Sequence, residues 1–235
     1  MSQSPRIRIH YFTDVLCVWA YLAQVRLDEL IKNYSADIEI SYNFMPIFGN
    51  TKNRIGNGWK DKGGFAGFSK HTHEVCEAYP HIKLHKNIWA VNTPKTSATC
   101  HLFIKAVQCL VDNNVINNEP RGEFNQRTLF EEFVWNVRLA FFRDLKDISQ
   151  MSVLMEIAKS MQLPTDKIQA ALDDGSALAE FSRDIELKDE FGVEGSPTYI
   201  LNEGRQKLYG NVGYRIIEAN LQEILKQPEM EASWC

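Results

Sequence analysis

Hydrophobic and polar positions alternate in two short stretches near the start of the chain. Residues 6–12 alternate and end in Tyr11-Phe12, and residues 38–44 alternate again, which predicts two strands. Between them, apolar residues follow Ala23 at spacings of four, seven, eight and eleven, which is one face of a helix. A strand, a helix and a strand within this length predict a βαβ unit with a parallel strand pair.

The pattern changes after this unit and returns to strands near the end. Residues 49–67 are rich in Gly, Asn and Lys and predict an irregular loop, whereas residues 67–192 have an almost entirely helical periodicity. The final segment predicts a hairpin followed by a helix, over residues 198–201, 207–209 and 214–226.

The order βαβ, helical block, ββα is typical of an α/β thioredoxin-like fold that is interrupted by a mainly helical insertion domain. We therefore expect the thioredoxin-like domain over residues 1–48 and 193–227 and the helical insertion domain over residues 49–192. Residues 228–235 are expected to form a C-terminal tail.

Composition narrows the classes of function. The chain has 235 residues, a formal net charge of −4 and 24% charged residues, so neither nucleic acid nor an anionic membrane is favoured as a partner. No apolar run approaches the length of a membrane span, and the N-terminal residues show no apolar core of a secretory signal. We expect a cytoplasmic protein. Whether it is a monomer or a homodimer stays open.

The five cysteines are odd in number, and their spacing gives no disulfide framework, so we expect mostly free thiols. Cys17 stands where the first strand meets the first helix. Unpaired backbone N–H groups and the positive end of the helix dipole favour a thiolate there, and the thiolate is the nucleophilic form. A buried structural cysteine is the alternative.

A second feature is the sequence Gly195-Ser196-Pro197 at the start of a predicted strand. Proline cannot donate to a strand ladder and suits a tight turn or a cis peptide there, although an ordinary loop proline would fit as well. In a thioredoxin-like fold this strand neighbours the first one. We therefore expect a cis Ser196–Pro197 bond that faces Cys17.

The sequence resembles the DsbA-like thioredoxin-fold family, which includes DsbA-type oxidoreductases, kappa-class glutathione transferases and 2-hydroxychromene-2-carboxylate isomerases. The resemblance covers nearly the whole chain. It rests on the order and spacing of four segments: FTDVLCVWAYLA, VNTPKTSATCHLFIKA, AFFRDLKDISQMSVLMEIAKSMQL and DEFGVEGSPTYILN.

The resemblance implies roles for individual residues. Cys17 matches the first cysteine of the redox branch and the serine of the glutathione branch, and Trp19 matches the tryptophan of C-P-W-C. Ser196 and Pro197 match the pair that carries the family's cis-proline. Ala20 departs from the pattern, because it stands where the resolving cysteine would be.

For glutathione the resemblance implies two further contacts. Asn57 matches a glutathione-contacting asparagine, and Asn211 stands in for the serine of a Ser-Asp pair. Val212, in the place of the aspartate, cannot accept a hydrogen bond.

Three functions follow from these features. The first is a DsbA-type thiol–disulfide oxidoreductase that uses the single thiol of Cys17 and acts on a small thiol or a protein disulfide, with the mixed disulfide resolved by an external thiol such as glutathione. The second is a kappa-like glutathione-dependent transferase or isomerase, and the third is a non-enzymatic binding module. We expect no tightly bound cofactor, with glutathione as a co-substrate.

Two other signals carry less weight. The histidines between residues 71 and 85 and the nearby Cys76 lack the spacing of a zinc site, so no metal is expected. Asp14 is either a proton acceptor near Cys17 or a turn residue.

Overall fold

The structure is a computed structural model that describes residues 6–226. The predicted C-terminal tail and Cys235 lie outside the described residues. The described strands are β1 (Ile7–Thr13), β2 (Ile38–Phe44), β3 (Thr198–Leu201) and β4 (Gln206–Tyr209). The α-helices are α1 (Val18–Tyr34), α2 (Gly64–Glu77), α3 (Ala98–Asp112), α4 (Leu129–Phe142), α5 (Met151–Ser160), α6 (Thr165–Asp173), α7 (Ser176–Glu190) and α8 (Tyr214–Lys226).

The four strands form one sheet in the order β2-β1-β3-β4. β1 pairs with β2 in parallel and with β3 in antiparallel fashion, and β3 pairs with β4 as the predicted hairpin. Tyr11 of β1 lies opposite Tyr42 and Tyr199 in the register, its ring contacts both of theirs, and all three residues are buried. The predicted βαβ and ββα segments and the thioredoxin-like fold class are confirmed.

The chain divides into two compact units. The first contains residues 6–13, 19–45 and 184–226, and its buried core includes residues of the sheet and, on α8, Ile217, Leu221 and Ile224. The second contains residues 14–18 and 46–183. In its core the fully buried Trp89 contacts the ring of Phe141, with 4.8 Å between centroids.

The units differ from the predicted division in three places. Residues 14–18 and 46–48 belong to the helical unit, and residues 184–192 belong to the unit that contains the sheet. A physical reason for the first difference is that Asp14 is hydrogen-bonded to Phe48 and Ser97 of the helical unit.

The expectation of an irregular loop over residues 49–67 is wrong. This segment contains a π-helical turn (Lys52–Asn57), a short 3-10 helix (Lys60–Lys62) and the start of α2. Ile55, which is fully buried, anchors the π-helical turn, and the Gly58 N–H closes it by donating to the Asn53 carbonyl at 3.0 Å. A single buried residue such as Ile55 leaves no periodic pattern in the sequence. The glycine and polar content of residues 49–67 therefore indicated a loop.

Across residues 6–226, every helix is too short or too polar to cross a membrane.

Candidate active site

Residues 14–17 form the turn between β1 and α1 and present Cys17 immediately before the first helical residue. The Cys17 N–H donates to the Asp14 carbonyl at 3.1 Å, and the Leu16 N–H donates to Asp14 Oδ1 at 2.8 Å. Both bonds are typical of an aspartate that closes a turn on its own backbone. Cys17 is 6% exposed, so its thiol stands at a helix N-terminus with little solvent around it.

The carboxylate of Asp14 also reaches beyond the turn. Its Oδ2 accepts the Phe48 N–H at 2.8 Å and the Ser97 hydroxyl at 2.7 Å. Ser97 immediately precedes α3, and all three groups are buried. Both carboxylate oxygens therefore have donors, which offset part of the cost of burying the ionised group.

His101 and Arg138 complete the surroundings of Asp14. The Val15 N–H donates to His101 Nε2 at 3.2 Å, so this nitrogen carries no proton. Arg138 Nη1 donates to the Asp14 carbonyl at 3.3 Å, and its side chain is fully buried. We call Asp14, Ser97, His101 and Arg138 the Asp14 cluster.

Burial dominates the electrostatics of this cluster. Desolvation raises the pKa of Asp14 to about 6, although the N–H groups of Phe48 and Leu16, the Ser97 hydroxyl and the Arg138 charge all act to lower it. Desolvation, helped by the Arg138 charge, lowers the pKa of His101 to about 3. His101 is therefore neutral, and its 3.6 Å approach to Asp14 Oδ1 is not an ion pair at neutral pH.

The remaining described cysteines are held as protonated thiols. Burial raises the pKa of Cys76 to about 11 and also raises that of Cys109. The pKa of Cys100 lies well above the ordinary thiol value because of burial and, next, the charge of Asp14. All three lie in helices of the second unit, and all are free thiols.

The predicted proline site lies in the unit that contains the sheet. The Ser196–Pro197 bond is cis, which is the geometry that the sequence predicts, and both residues are buried. The Gly210 N–H donates to the Pro197 carbonyl at 2.8 Å. A Cβ at Gly195 would lie 2.5 Å from Tyr209 Oη, so a larger residue there would require the exposed Tyr209 ring to move. The expectation that Pro197 lies against Cys17 stays a prediction.

The other predicted residues have local partners. Trp19 is half-buried in the first turn of α1. Asn57, in the second unit, is exposed and donates from Nδ2 to Asn53 Oδ1 at 3.3 Å. Asn211, in the first unit, is exposed and accepts from Arg26 Nη1 at 2.5 Å. The proposed glutathione contacts of Asn57 and Asn211 stay predictions.

No group of three or more His, Cys, Asp or Glu side chains within residues 6–226 is arranged to hold a metal ion.

Sequence reasoning considered Asp14 but missed Ser97, His101 and Arg138. Asp14 is a turn residue, and its carboxylate also accepts bonds from outside the turn. The available signal was Arg138, a single charge inside the apolar run of α4, together with Ser97 and His101, which are four residues apart and share one face of α3.

Two family models match the chain, with the DSBA-like thioredoxin domain over residues 8–91 and thioredoxin over residues 122–226. No curated protein sequence matches it significantly.

Solved structures of the same fold are similar over nearly their whole length. A Nitrosomonas europaea protein assigned as a protein disulfide isomerase has a TM-score of 0.72 at 14% identity, covering 95% of this chain and 99% of that one. The cytosolic disulfide reductase DsbM from Pseudomonas aeruginosa has a TM-score of 0.62 at 17% identity, covering 92% and 98%. A 2-hydroxychromene-2-carboxylate isomerase has a TM-score of 0.63 at 18% identity, covering 94% and 97%.

Proposed function

We propose that this DsbA-like thioredoxin-fold protein is a thiol–disulfide oxidoreductase that uses the single thiol of Cys17. The observation that carries the proposal is the place of Cys17, at the turn between β1 and the N-terminus of α1. Backbone N–H groups at a helix N-terminus stabilise a thiolate, and the thiolate is the species that attacks a disulfide. Ala20, one helical turn further along, is fully buried and offers no second thiol.

The chemistry is a disulfide exchange in two steps. The Cys17 thiolate attacks one sulfur of a substrate disulfide, forms a mixed disulfide with it and expels the other sulfur as a thiolate. An external thiolate then attacks the substrate sulfur of the mixed disulfide. Cys17 leaves as a thiolate, and the external thiol departs bonded to the substrate. The protein is regenerated without a net change in its redox state.

The protonation of the other cysteines supports an external resolving thiol. An attacking sulfur must be deprotonated, and burial raises the pKa of Cys76, Cys100 and Cys109. Cys100 deserves a direct control, because it shares a face of α3 with Ser97 and His101, the residues that face Asp14. None of these three cysteines offers a thiolate, which supports resolution by a small thiol in solution; Cys235 lies outside the described residues.

We propose glutathione as this external thiol and the cytoplasm as the compartment, because a reducing compartment supplies free thiols. DsbM, a cytosolic disulfide reductase of the same fold, has also been solved with glutathione. That structure has a TM-score of 0.59 at 16% identity and covers 92% of this chain and 99% of that one.

The test is to incubate the protein with oxidised glutathione and to follow the adduct by mass spectrometry. We expect one glutathione on Cys17, stable after removal of the reagent and released when reduced glutathione is added. Cys17→Ser should carry no adduct at this position. Ala20→Cys, with a thiol one helical turn away, should shorten the adduct's lifetime in the absence of added thiol by at least about tenfold, because attack becomes intramolecular.

Two outcomes would overturn the proposal. If the wild-type adduct disappears without added thiol as fast as the Ala20→Cys adduct, an internal cysteine resolves it, and Cys100→Ser shows whether that residue is responsible. If Cys17 forms no adduct, the oxidoreductase function is wrong.

A second candidate function is a glutathione-dependent isomerase or transferase, which the similar isomerase structure favours. In that case glutathione would bind reversibly beside Cys17 without a stable disulfide. Calorimetric binding of reduced glutathione, without a covalent adduct from oxidised glutathione, would indicate it. Absence of both signals would leave the non-enzymatic binding module.

A further inference from the structure

We infer that Asp14 is the positioning residue of the reactive thiol: its carboxylate holds the turn that presents Cys17, and the Ser97 hydroxyl helps to hold that carboxylate. This inference rests on the proposed role of Cys17 and adds a residue that acts through the turn. Asp14 touches no substrate in this account, so it is a positioning residue and not a catalytic one.

The argument begins with the backbone of the turn. Three consecutive N–H groups, those of Val15, Leu16 and Cys17, donate to His101 Nε2, Asp14 Oδ1 and the Asp14 carbonyl. The backbone of residues 15–17 is therefore held by buried acceptors. Two of these acceptors belong to Asp14 itself.

The next step is the anchoring of Asp14. Its Oδ2 accepts from the Phe48 N–H and the Ser97 hydroxyl, and its carbonyl accepts from Arg138 Nη1. These donors come from the segment after β2, from the start of α3 and from α4. The Cys17 turn is thereby tied to three separate parts of the second unit.

The titratable and charged groups that face Asp14 are Cys100 and His101 of α3 and Arg138 of α4. Around neutral pH, His101 is neutral, Cys100 is protonated and Arg138 is charged. Asp14 itself changes charge near pH 6. An ionised Asp14 carboxylate only accepts hydrogen bonds, whereas a protonated Asp14 carries an O–H donor. If the proton sits on Oδ2, this donor faces the Phe48 N–H and the Ser97 hydroxyl, which now donate to the same oxygen, so these bonds must rearrange.

Because the turn carries Cys17, this ionisation should be visible in the reactivity of the thiol. We expect the rate of Cys17 alkylation by iodoacetamide, plotted against pH, to bend twice: once at the ionisation of the thiol and once at that of Asp14. Peptide mass spectrometry assigns each rate to its cysteine. A single bend in the wild-type protein would overturn the inference.

Ser97→Ala and Ser97→Thr form a matched pair for the decisive comparison. Ala removes the hydroxyl that stabilises the ionised carboxylate, so the Asp14 bend should move upward by about one pH unit. Thr keeps the hydroxyl and should restore the wild-type position. In Asp14→Asn, which does not ionise, the bend should be absent. An unmoved bend in Ser97→Ala, or a bend that persists in Asp14→Asn, would refute the role.

The other cysteines separate positioning from unfolding in the same samples. Cys100 is fully buried and becomes labelled only if the second unit opens, and Cys76 and Cys109 should keep their wild-type rates. If Asp14→Asn proves unstable by this measure, the Ser97 pair still decides the question. The outcome is independent of the oxidoreductase test, because alkylation needs no disulfide chemistry. A Cys17 that alkylates as described and forms no glutathione adduct would keep the positioning role and reject the redox function.

Discussion

His101 should make the protein lose stability in acid, and removing its titration should remove that loss. The ring is fully buried, and Nε2 accepts the Val15 N–H, so the folded state holds the neutral form. His101→Gln replaces the ring with an amide that does not titrate but still carries an oxygen acceptor for this N–H.

The magnitude follows from the two states of the ring. Desolvation lowers the pKa of His101 from 6.5 to about 3 in the folded protein, whereas the unfolded chain has the ordinary value. As the pH falls below 6.5, His101 binds a proton in the unfolded state but stays neutral in the folded state. The free energy of unfolding therefore decreases with falling pH. The 2.5 pH units between 6.5 and pH 4, at about 1.4 kcal/mol each, correspond to about 3.5 kcal/mol, and partial titration at pH 7 and pH 4 reduces the change between these two pH values to about 3 kcal/mol.

Asp14 acts in the opposite direction. Its pKa is raised to about 6, so the folded state binds its proton first, and stability is gained as the pH falls from about 6 toward 3.8. Asp14 is present in both proteins, so its contribution largely cancels when the variant is compared with the wild type.

Urea unfolding at pH 7 and pH 4, followed by tryptophan fluorescence and circular dichroism, measures the effect. Relative to the wild type, His101→Gln should gain about 3 kcal/mol in free energy of unfolding between pH 7 and pH 4. His81→Gln, at an exposed histidine, is the matched control for the substitution. A stability difference between His101→Gln and wild type that is the same at both pH values would refute a neutral, buried His101.

Two further predictions concern the unit that contains the sheet. Asp184→Ala should lower the free energy of unfolding by about 2–3 kcal/mol in urea melts, because it removes the buried carboxylate that accepts the Phe44 N–H at 2.7 Å. The control Asp189→Ala, at an exposed position, should change the free energy of unfolding by less than about 0.5 kcal/mol. Equal effects of the two substitutions would contradict this reasoning. Gly195→Ala should also destabilise, because its Cβ would lie 2.5 Å from Tyr209 Oη, and Tyr209→Ala should recover most of the loss in the double variant; purely additive effects would show that the ring is not the cause.

Local patterns determined the elements of this protein. Alternation around Tyr11 and helical spacing after Ala23 specify β1 and α1, because burial of one face acts on neighbouring residues. The position of Cys17 follows directly from these two elements, because it is the only cysteine among residues 14–17, which connect them. The expectation of a cis Ser196–Pro197 bond needed the thioredoxin-like fold and the family resemblance as well, because a proline at a strand start also fits an ordinary loop.

Tertiary structure alone decided the surroundings of that thiol. Asp14, Ser97, His101 and Arg138 are separated by up to 124 residues and meet only after α3 and α4 have packed. Their protonation states could not be read from residue type, because burial raises the pKa of Asp14 and lowers that of His101. Sequence supplies the groups and the local backbone, whereas desolvation, which sets their charges, depends on which distant segments exclude water from them.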